Sequence, residues 1–325
     1  MAVNGGPLSH GTAALAGRTA GGPSTGSADR RLGRRGDGWR SFATAARLGW
    51  AMEANWTDPV MFFVYSVAKP VSAALILVVM LEVIGGASSR EYRSFVVVGS
   101  ALWSFVVAGI GGLPQSILDD RERYRMLKYV YVSPSAFSLF LFGRGVARIA
   151  VGAMGTLVTL AVGVVLLGVP FDPFAVDWPL LVVVTAGGLV AIVMVGVTLA
   201  AVCLQTRQDS WSYPEAAAGA LFLVSGAVFP LAVLPQPVQW VGLADPLAWW
   251  LEGTRLALFG TTASGIGGAG SLWLAVTGSL APTPAQAIGA LLLTGAVGTL
   301  AAMLAFRASE GRAKDRGLLD QTTGS

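Results

Sequence analysis

The stretch DDRERYRMLKYVYVSPSAF, residues 119–137, packs seven charged side chains into its first ten positions. Apolar segments flank it, about Ser94 to Gln115 on one side and about Val146 to Val169 on the other. Each is long enough to cross a bilayer, which takes about 20 mostly apolar residues in a helix. Charge in such a chain gathers where the chain meets water, so this stretch marks a membrane border. Tyr124, Leu127 and Tyr131 recur at i, i+3 and i+7, while Arg121, Glu122, Arg125 and Lys128 fall on other faces. That spacing predicts a short helix with one aromatic, apolar side, ended by Ser133-Pro134. Acids interleaved with bases speak against a purely lipid-facing basic patch. A docking helix for a soluble partner fits the pattern; a solvated loop is the plainer alternative.

The composition agrees with a membrane setting. Of 325 residues, 54% are hydrophobic and 12% charged, against about 25% charged in soluble domains. The mean hydropathy is +0.65. The net charge of +4 is small, and because most basic residues flank apolar spans, no nucleic-acid partner is expected. The one cysteine, Cys203, lies in an apolar run, and the one histidine, His10, in a Gly/Ser/Ala-rich stretch. Ser-His-Asp, Cys-His and multi-histidine metal sites are therefore implausible.

Residues 1–37 hold almost no large apolar side chain and read as a disordered tail. They contain no apolar core of a signal peptide. Residues 38–59 follow as an amphipathic helix. Trp39, Phe42, Ala46 and Trp50 share one face, and Arg40 and Arg47 lie a heptad apart on another, the pattern of a helix lying in the membrane interface. Six spans are expected in residues 60–307: about Met61 to Ile84, Ser94 to Gln115, Val146 to Val169, Pro179 to Leu204, Pro214 to Leu234 and Ala285 to Phe306. Residues 308–325 form a C-terminal tail. The stretches Trp240 to Gly260 and Ser271 to Ala281 are broken by charge or too short to span, and read as re-entrant or interfacial. Trp240, Trp249 and Trp250 are expected in an aromatic belt at the outer interface. With six spans, alternate sides carry seventeen and three Lys/Arg residues. The positive-inside rule then puts both termini in the cytoplasm. The fold class is all-α integral membrane.

The segment DRERYRMLKYVYVSP resembles the cytoplasmic signature between spans two and three in the membrane-spanning permease subunits of type 2 exporters of the ATP-binding-cassette class. Many members carry Gly-Thr where this chain has Arg125-Met126, and Glu where it has Lys128. The segment SGAVFPLAVLPQPVQWVGLADPLAWWLEGTRLALFG, residues 225–260, is similar to the same family's pattern after span five, where the chain dips back into the outer leaflet. The amphipathic helix before span one is a family feature too. The resemblance implies that the loop between spans two and three is a coupling helix seated in a separate ATPase subunit. Arg121, Glu122, Arg123, Tyr124 and Leu127 are the candidate contacts, and Trp39, Arg40 and Arg47 supply a second one. It also implies a second permease subunit, and a partner ATPase that binds ATP and Mg.

The chain itself has no ATP site of the P-loop kind, which needs Gly-Lys-Ser/Thr. Its three lysines, Lys69, Lys128 and Lys314, follow Ala, Leu and Ala. No cofactor is expected in this chain. Charges within or beside apolar stretches are functional candidates. Lys69, Asp245, Glu252 and Arg255 are the candidates for pathway or gate, with Glu252 and Arg255 spaced to pair at i, i+3. Arg148 reads as an anchor at the start of span three. A transporter driven by an ion gradient is the alternative; it would call for inverted repeats and mid-span acids, and neither is visible. An intramembrane enzyme would need a cluster of catalytic groups that the sequence lacks.

Overall fold

The long apolar runs are helices. A computed structural model describes residues 26–54, 59–85, 90–125, 129, 137–206 and 212–315, and every regular element among them is helical. In chain order they are α1 (Gly26–Ala54), α2 (Pro59–Gly85), α3 (Arg90–Leu118), α4 (Phe137–Val165), α5 (Trp178–Gln205), α6 (Ser212–Val224), α7 (Gln236–Ala244), α8 (Pro246–Phe259), α9 (Leu272–Thr277) and α10 (Pro284–Asp315). The helix expected from Gly38 is the later part of α1, which begins at Gly26.

Among the described residues, four segments are long and apolar enough to cross a membrane: Tyr92–Arg121, Phe142–Val165, Trp178–Gln205 and Pro284–Ala313. They coincide with α3, α4, α5 and α10, the second, third, fourth and sixth expected spans. The chain is a multi-pass membrane protein by this measure. The first expected span falls on α2, which carries the apolar stretch Val71–Met80. The fifth differs from expectation. α6 has 13 residues, about 20 Å of helix, against a hydrocarbon core of about 30 Å. Apolar residues continue past Val224, but the helix does not. Gly226 takes φ +71, a conformation open to glycine and costly for other residues. Leu231 then donates its N–H to Gly265 O at 2.7 Å, which turns the chain toward the loop after α8.

The helix ends sort into two groups. The C-terminal ends of α3, α5 and α10 meet the N-terminal part of α4 at one end of the bundle, through contacts described below. The short helices α7, α8 and α9 gather around the opposite end, near the start of α3. α3 packs along α4, α5 along α10, and α1 along α4.

α8 is the plug of this arrangement. Every residue from Pro246 to Ala257 is buried, among side chains of α3, α5 and α10 that include Ile110, Ile192 and Leu291. The Trp250 ring lies directly on the backbone of Gly188 and 5.9 Å from the Phe105 ring. Even its charged residues Glu252 and Arg255 are buried with the rest. The expected tryptophan belt is therefore corrected: Trp249 and Trp250 are core residues, and Trp240 alone of the three is exposed. Trp249 satisfies its indole N–H on Leu243 O at 2.8 Å.

Candidate functional site

At the charged end, α3 does not simply stop. It widens into one π-helical turn, Asp119–Arg123, closed by Tyr124 N–H donating to Asp119 O at 2.8 Å. Such turns re-aim side chains and recur at functional sites. The widened turn directs three consecutive residues to two neighbouring helices. Asp119 meets Arg148 of α4 at 3.2 Å and also accepts from Gln115. Asp120 meets Arg144 of α4 at 3.2 Å, with both side chains buried. That contact is off the hydrogen-bonding axis of Asp120 Oδ1, so it is electrostatic rather than a directed bond. Arg121 donates to Cys203 O at 3.2 Å and Thr206 O at 3.3 Å. These are carbonyls at the C-terminal end of α5, where a cation also complements the helix dipole.

α1 is tied to the same junction. Arg148 reaches Glu53 at 3.4 Å, and Arg144 contacts the Met52 sulfur. Earlier on α1, Ala45 and Gly49 face Gly143 and Ala147 of α4. A Cβ on Gly143 would lie 2.6 Å from Phe42 O and 2.8 Å from Ala45 Cβ; one on Gly49 would lie 3.0 Å from Arg144 O. Two small-xxx-small pairs thus bring the backbones together, the device helices use where lipid offers no hydrophobic drive. The opposite side of α1 is open: Trp39 and Trp50 are 69% and 43% exposed, and Arg40 and Arg47 are exposed as well. Tyr124 is exposed at 40%, with the Arg144 guanidinium 6.0 Å from its ring. The α10 end closes the junction from the other side. Ser309 donates to Ala201 O, and Arg312 donates to Gln205 at 3.3 Å.

The expected contact set is therefore divided. Arg121 is not at the surface; it is 7% exposed and holds α3 to α5. Charge density in the sequence could not separate it from its neighbours, because burial depends on where the π-turn points. Tyr124, Trp39, Arg40 and Arg47 are at the surface. Glu122 and Arg123 lie on the π-turn, while Leu127 and Tyr131 fall outside the described residues. Sequence reasoning missed Asp119, Asp120 and Arg144 as a buried ionic link, and gave Arg148 an anchoring role without its partners Glu53 and Asp119. Acids and bases close in sequence signalled exposure; here part of the run is internal.

At the other end, the candidates for a pathway or gate engage the protein itself. Asp245 caps α8, accepting from Leu247 N–H at 3.0 Å. Burial raises its carboxyl to about 7, and the Leu247 bond offsets that in part. Glu252 accepts from Gly265 N–H at 2.6 Å, Ile266 N–H at 3.2 Å and the Ser264 hydroxyl. Arg255 donates to Ala227 O at 2.9 Å and lies 3.6 Å over the Phe95 ring, a cation–π contact in a desolvated place. In place of the expected direct Glu252–Arg255 pair, Glu252 makes three bonds to the loop after α8 and Arg255 one to the turn after α6. The backbone amides of Gly265 and Ile266 outcompete the i, i+3 partner because a buried N–H without an acceptor is costly. Gln239 adds a third tie, accepting from Leu272 N–H at 2.7 Å and donating to Leu234 O at 2.8 Å. Lys69 lies exposed on α2, away from both clusters.

The sequence profile of the ABC-2 type transporter family matches residues 48–259. The match runs from the last turns of α1 to the end of α8, and so takes in the charged junction except the α10 end and the part of α1 before Leu48. The chain belongs to the ABC-2 type transporter family. Its matched region is the transmembrane permease domain of an ABC transporter, not a catalytic ATPase domain, and permeases of this family generally work with an ABC ATPase. No curated protein matches the chain.

Proposed function

We propose that this permease is the membrane half-subunit of an ATP-driven exporter, paired with a second permease and powered by a separate ATPase chain that binds ATP and Mg. The observation that carries the reading is the junction of α1, the π-turn and α4. α1 is bound on one side by glycine-mediated packing and the Arg148–Glu53 ion pair, while Arg148 also holds Asp119 of the π-turn, and it presents Trp39, Arg40 and Arg47 on the other. A push on α1 or on the surface near Tyr124 would reach α3, α4 and α5 through buried charge contacts rather than be lost in a loose loop. The docking surface is Trp39, Arg40 and Arg47 with Glu122, Arg123, Tyr124 and Leu127. Arg121 works behind it as a positioning residue.

Six crossings complete the topology, with α2 as the first. α6 enters from the cytoplasmic side and covers part of the thickness, the apolar chain past Val224 completing the fifth crossing, and α7 and α8 dip back within the outer leaflet before α10 leaves as the sixth. Both termini then lie in the cytoplasm. Convergence of the ends of α3, α5 and α10 with the start of α4 supports an alternating, even-numbered path. The cargo is hydrophobic or amphipathic (a drug, a lipid or a lipid-linked glycan). The exposed apolar positions of α2, Val64, Ile76, Val79 and Val83, suit a lipid-facing or subunit-facing pathway.

Charge reversal at Arg40 and Arg47, combined with Tyr124→Ala, tests the docking surface. The expected result is at least about a tenfold loss of co-purifying ATPase, the equivalent of one or two interfacial contacts, with thermal stability of the permease unchanged. Full ATPase retention in the triple variant would remove this surface from the interface.

A further inference from the structure

A cavity of about 510 Å³ opens along the seam of α5 and α10, closed on one side by Phe142 of α4. That volume lies within the range of built small-molecule sites. Its walls are apolar, with Val193 and Met194 from α5 and Met303 and Phe306 from α10. Two charged side chains, Arg307 and Glu310, line one end. They are the first charges on α10 after its apolar stretch, and Arg312 follows at the level of Gln205. The cavity thus runs from the apolar interior to the membrane–water border. Its wall from Thr299 to Glu310 runs about 16 Å along the helix. Thr299 adds a hydroxyl that has no protein partner. Rotation about its χ1, which has two accessible wells in a helix, would turn that hydroxyl toward the cavity. None of these residues belongs to the charged junction or to the polar ties of α7–α9.

We infer that this cavity holds one acyl chain of a membrane aminophospholipid, with the lipid phosphate on Arg307 and its primary ammonium on Glu310. The shape sets the chain, and the charges set the headgroup. A simple anion meets Arg307 but is opposed by Glu310; a simple cation meets the reverse. A phosphate diester carrying a primary ammonium complements both, three residues apart on one helix face. A quaternary ammonium has no N–H to donate. A carboxylate has acceptor sites for more than one donor, so Glu310 takes the ammonium alongside its contacts within the protein.

The test uses the full chain purified in mild detergent and exposed to an equimolar mixture of phosphatidylethanolamine, phosphatidylglycerol and phosphatidylcholine. Bound lipid is counted by native mass spectrometry. The expected result is one retained phosphatidylethanolamine, favoured over each of the others by about tenfold, the worth of one charge-assisted hydrogen bond. Val193→Trp, which fills the cavity, should abolish that adduct. Glu310→Gln with Arg307→Gln leaves the cavity open and the helix surface neutral; it should keep lipid binding but level the three headgroups. Equal retention of the three lipids by the unaltered chain would overturn the inference. So would an undiminished adduct in a folded Val193→Trp protein. If that variant fails to fold, the double glutamine variant decides: an unchanged headgroup preference there refutes the assignment.

Discussion

Asp245 shows how a cap can carry a pH dependence. Its carboxyl holds the first turn of α8 through Leu247, yet burial keeps it near 7, against about 3.9 in an unfolded chain. Between about pH 4 and 7 the unfolded chain has released a proton that the folded one retains, so stability falls as pH rises through that window and levels above it. Asp245→Asn keeps the accepting oxygen and removes the charge. The variant should gain thermal stability relative to the parent as the pH is raised from 5 to 8, while the two coincide near pH 4. Thermal midpoints in detergent at four pH values check this; a constant difference would mean that Asp245 ionises freely in the fold. Arg125 is a second case. It is the one non-glycine residue among those described with a positive φ, +50, just past the π-turn, and it stands where relatives by resemblance commonly carry glycine. A left-handed conformation costs a residue with a Cβ roughly 1–2 kcal/mol. Arg125→Gly should therefore raise the thermal midpoint, by the equivalent of about 1 kcal/mol; a lower midpoint would mean that the arginine side chain contributes more than its backbone strain costs.

At the scale of elements, α1 and α4 are held at a separation that only small residues permit. Gly143→Leu would drive a side chain into Phe42 O and Ala45, and overpacking of this kind costs about 1–3 kcal/mol. The expected outcome is a detached α1, seen as faster tryptic cleavage at Arg47, with α3 to α10 still folded. Gly111→Ala is the control, since its Cβ meets nothing within 4 Å. Equal cleavage in both variants would show that α1 does not depend on this contact. The same scale shows what the sequence could tell. The helices α3, α4, α5 and α10 were legible because each is a long apolar run, and hydropathy measures that directly. α6 was not, because the run LFLVSGAVFPLAVL stays apolar through the break; the helix ends on the positive φ of Gly226 and the bond from Leu231 to Gly265. α8 was legible as an interrupted segment, but its burial among α3, α5 and α10 was not, since Trp249 and Trp250 suit a core and an interface equally well. Among the site residues, the exposure of Trp39, Arg40 and Arg47 followed from helical periodicity. The burial of Arg121 did not, because one extra residue per turn at Asp119–Arg123 rotates it inward.

On the scale of the whole molecule, polar contacts hold both ends of an apolar bundle. At one end, Glu252, Arg255 and Gln239 fix the short helices to the loops around them. At the other, Asp119, Asp120 and Arg121 join α3 to α4 and α5, and Arg148 brings in α1. α3 runs between the two ends, about 43 Å at 1.5 Å per residue. A displacement at the charged end thus has a rigid element through which to reach the α8 plug. That arrangement gives the chain the parts of a driven permease, and permeases of this family generally work with an ABC ATPase. The most direct measurement is purification of the full chain from its native membranes in mild detergent, with the eluate assayed for a P-loop protein and for ATP hydrolysis. The expected result is a co-purifying ATPase whose activity follows the permease through the column; a permease that emerges alone, with no ATPase even after gentle cross-linking, would show that no such partner drives it.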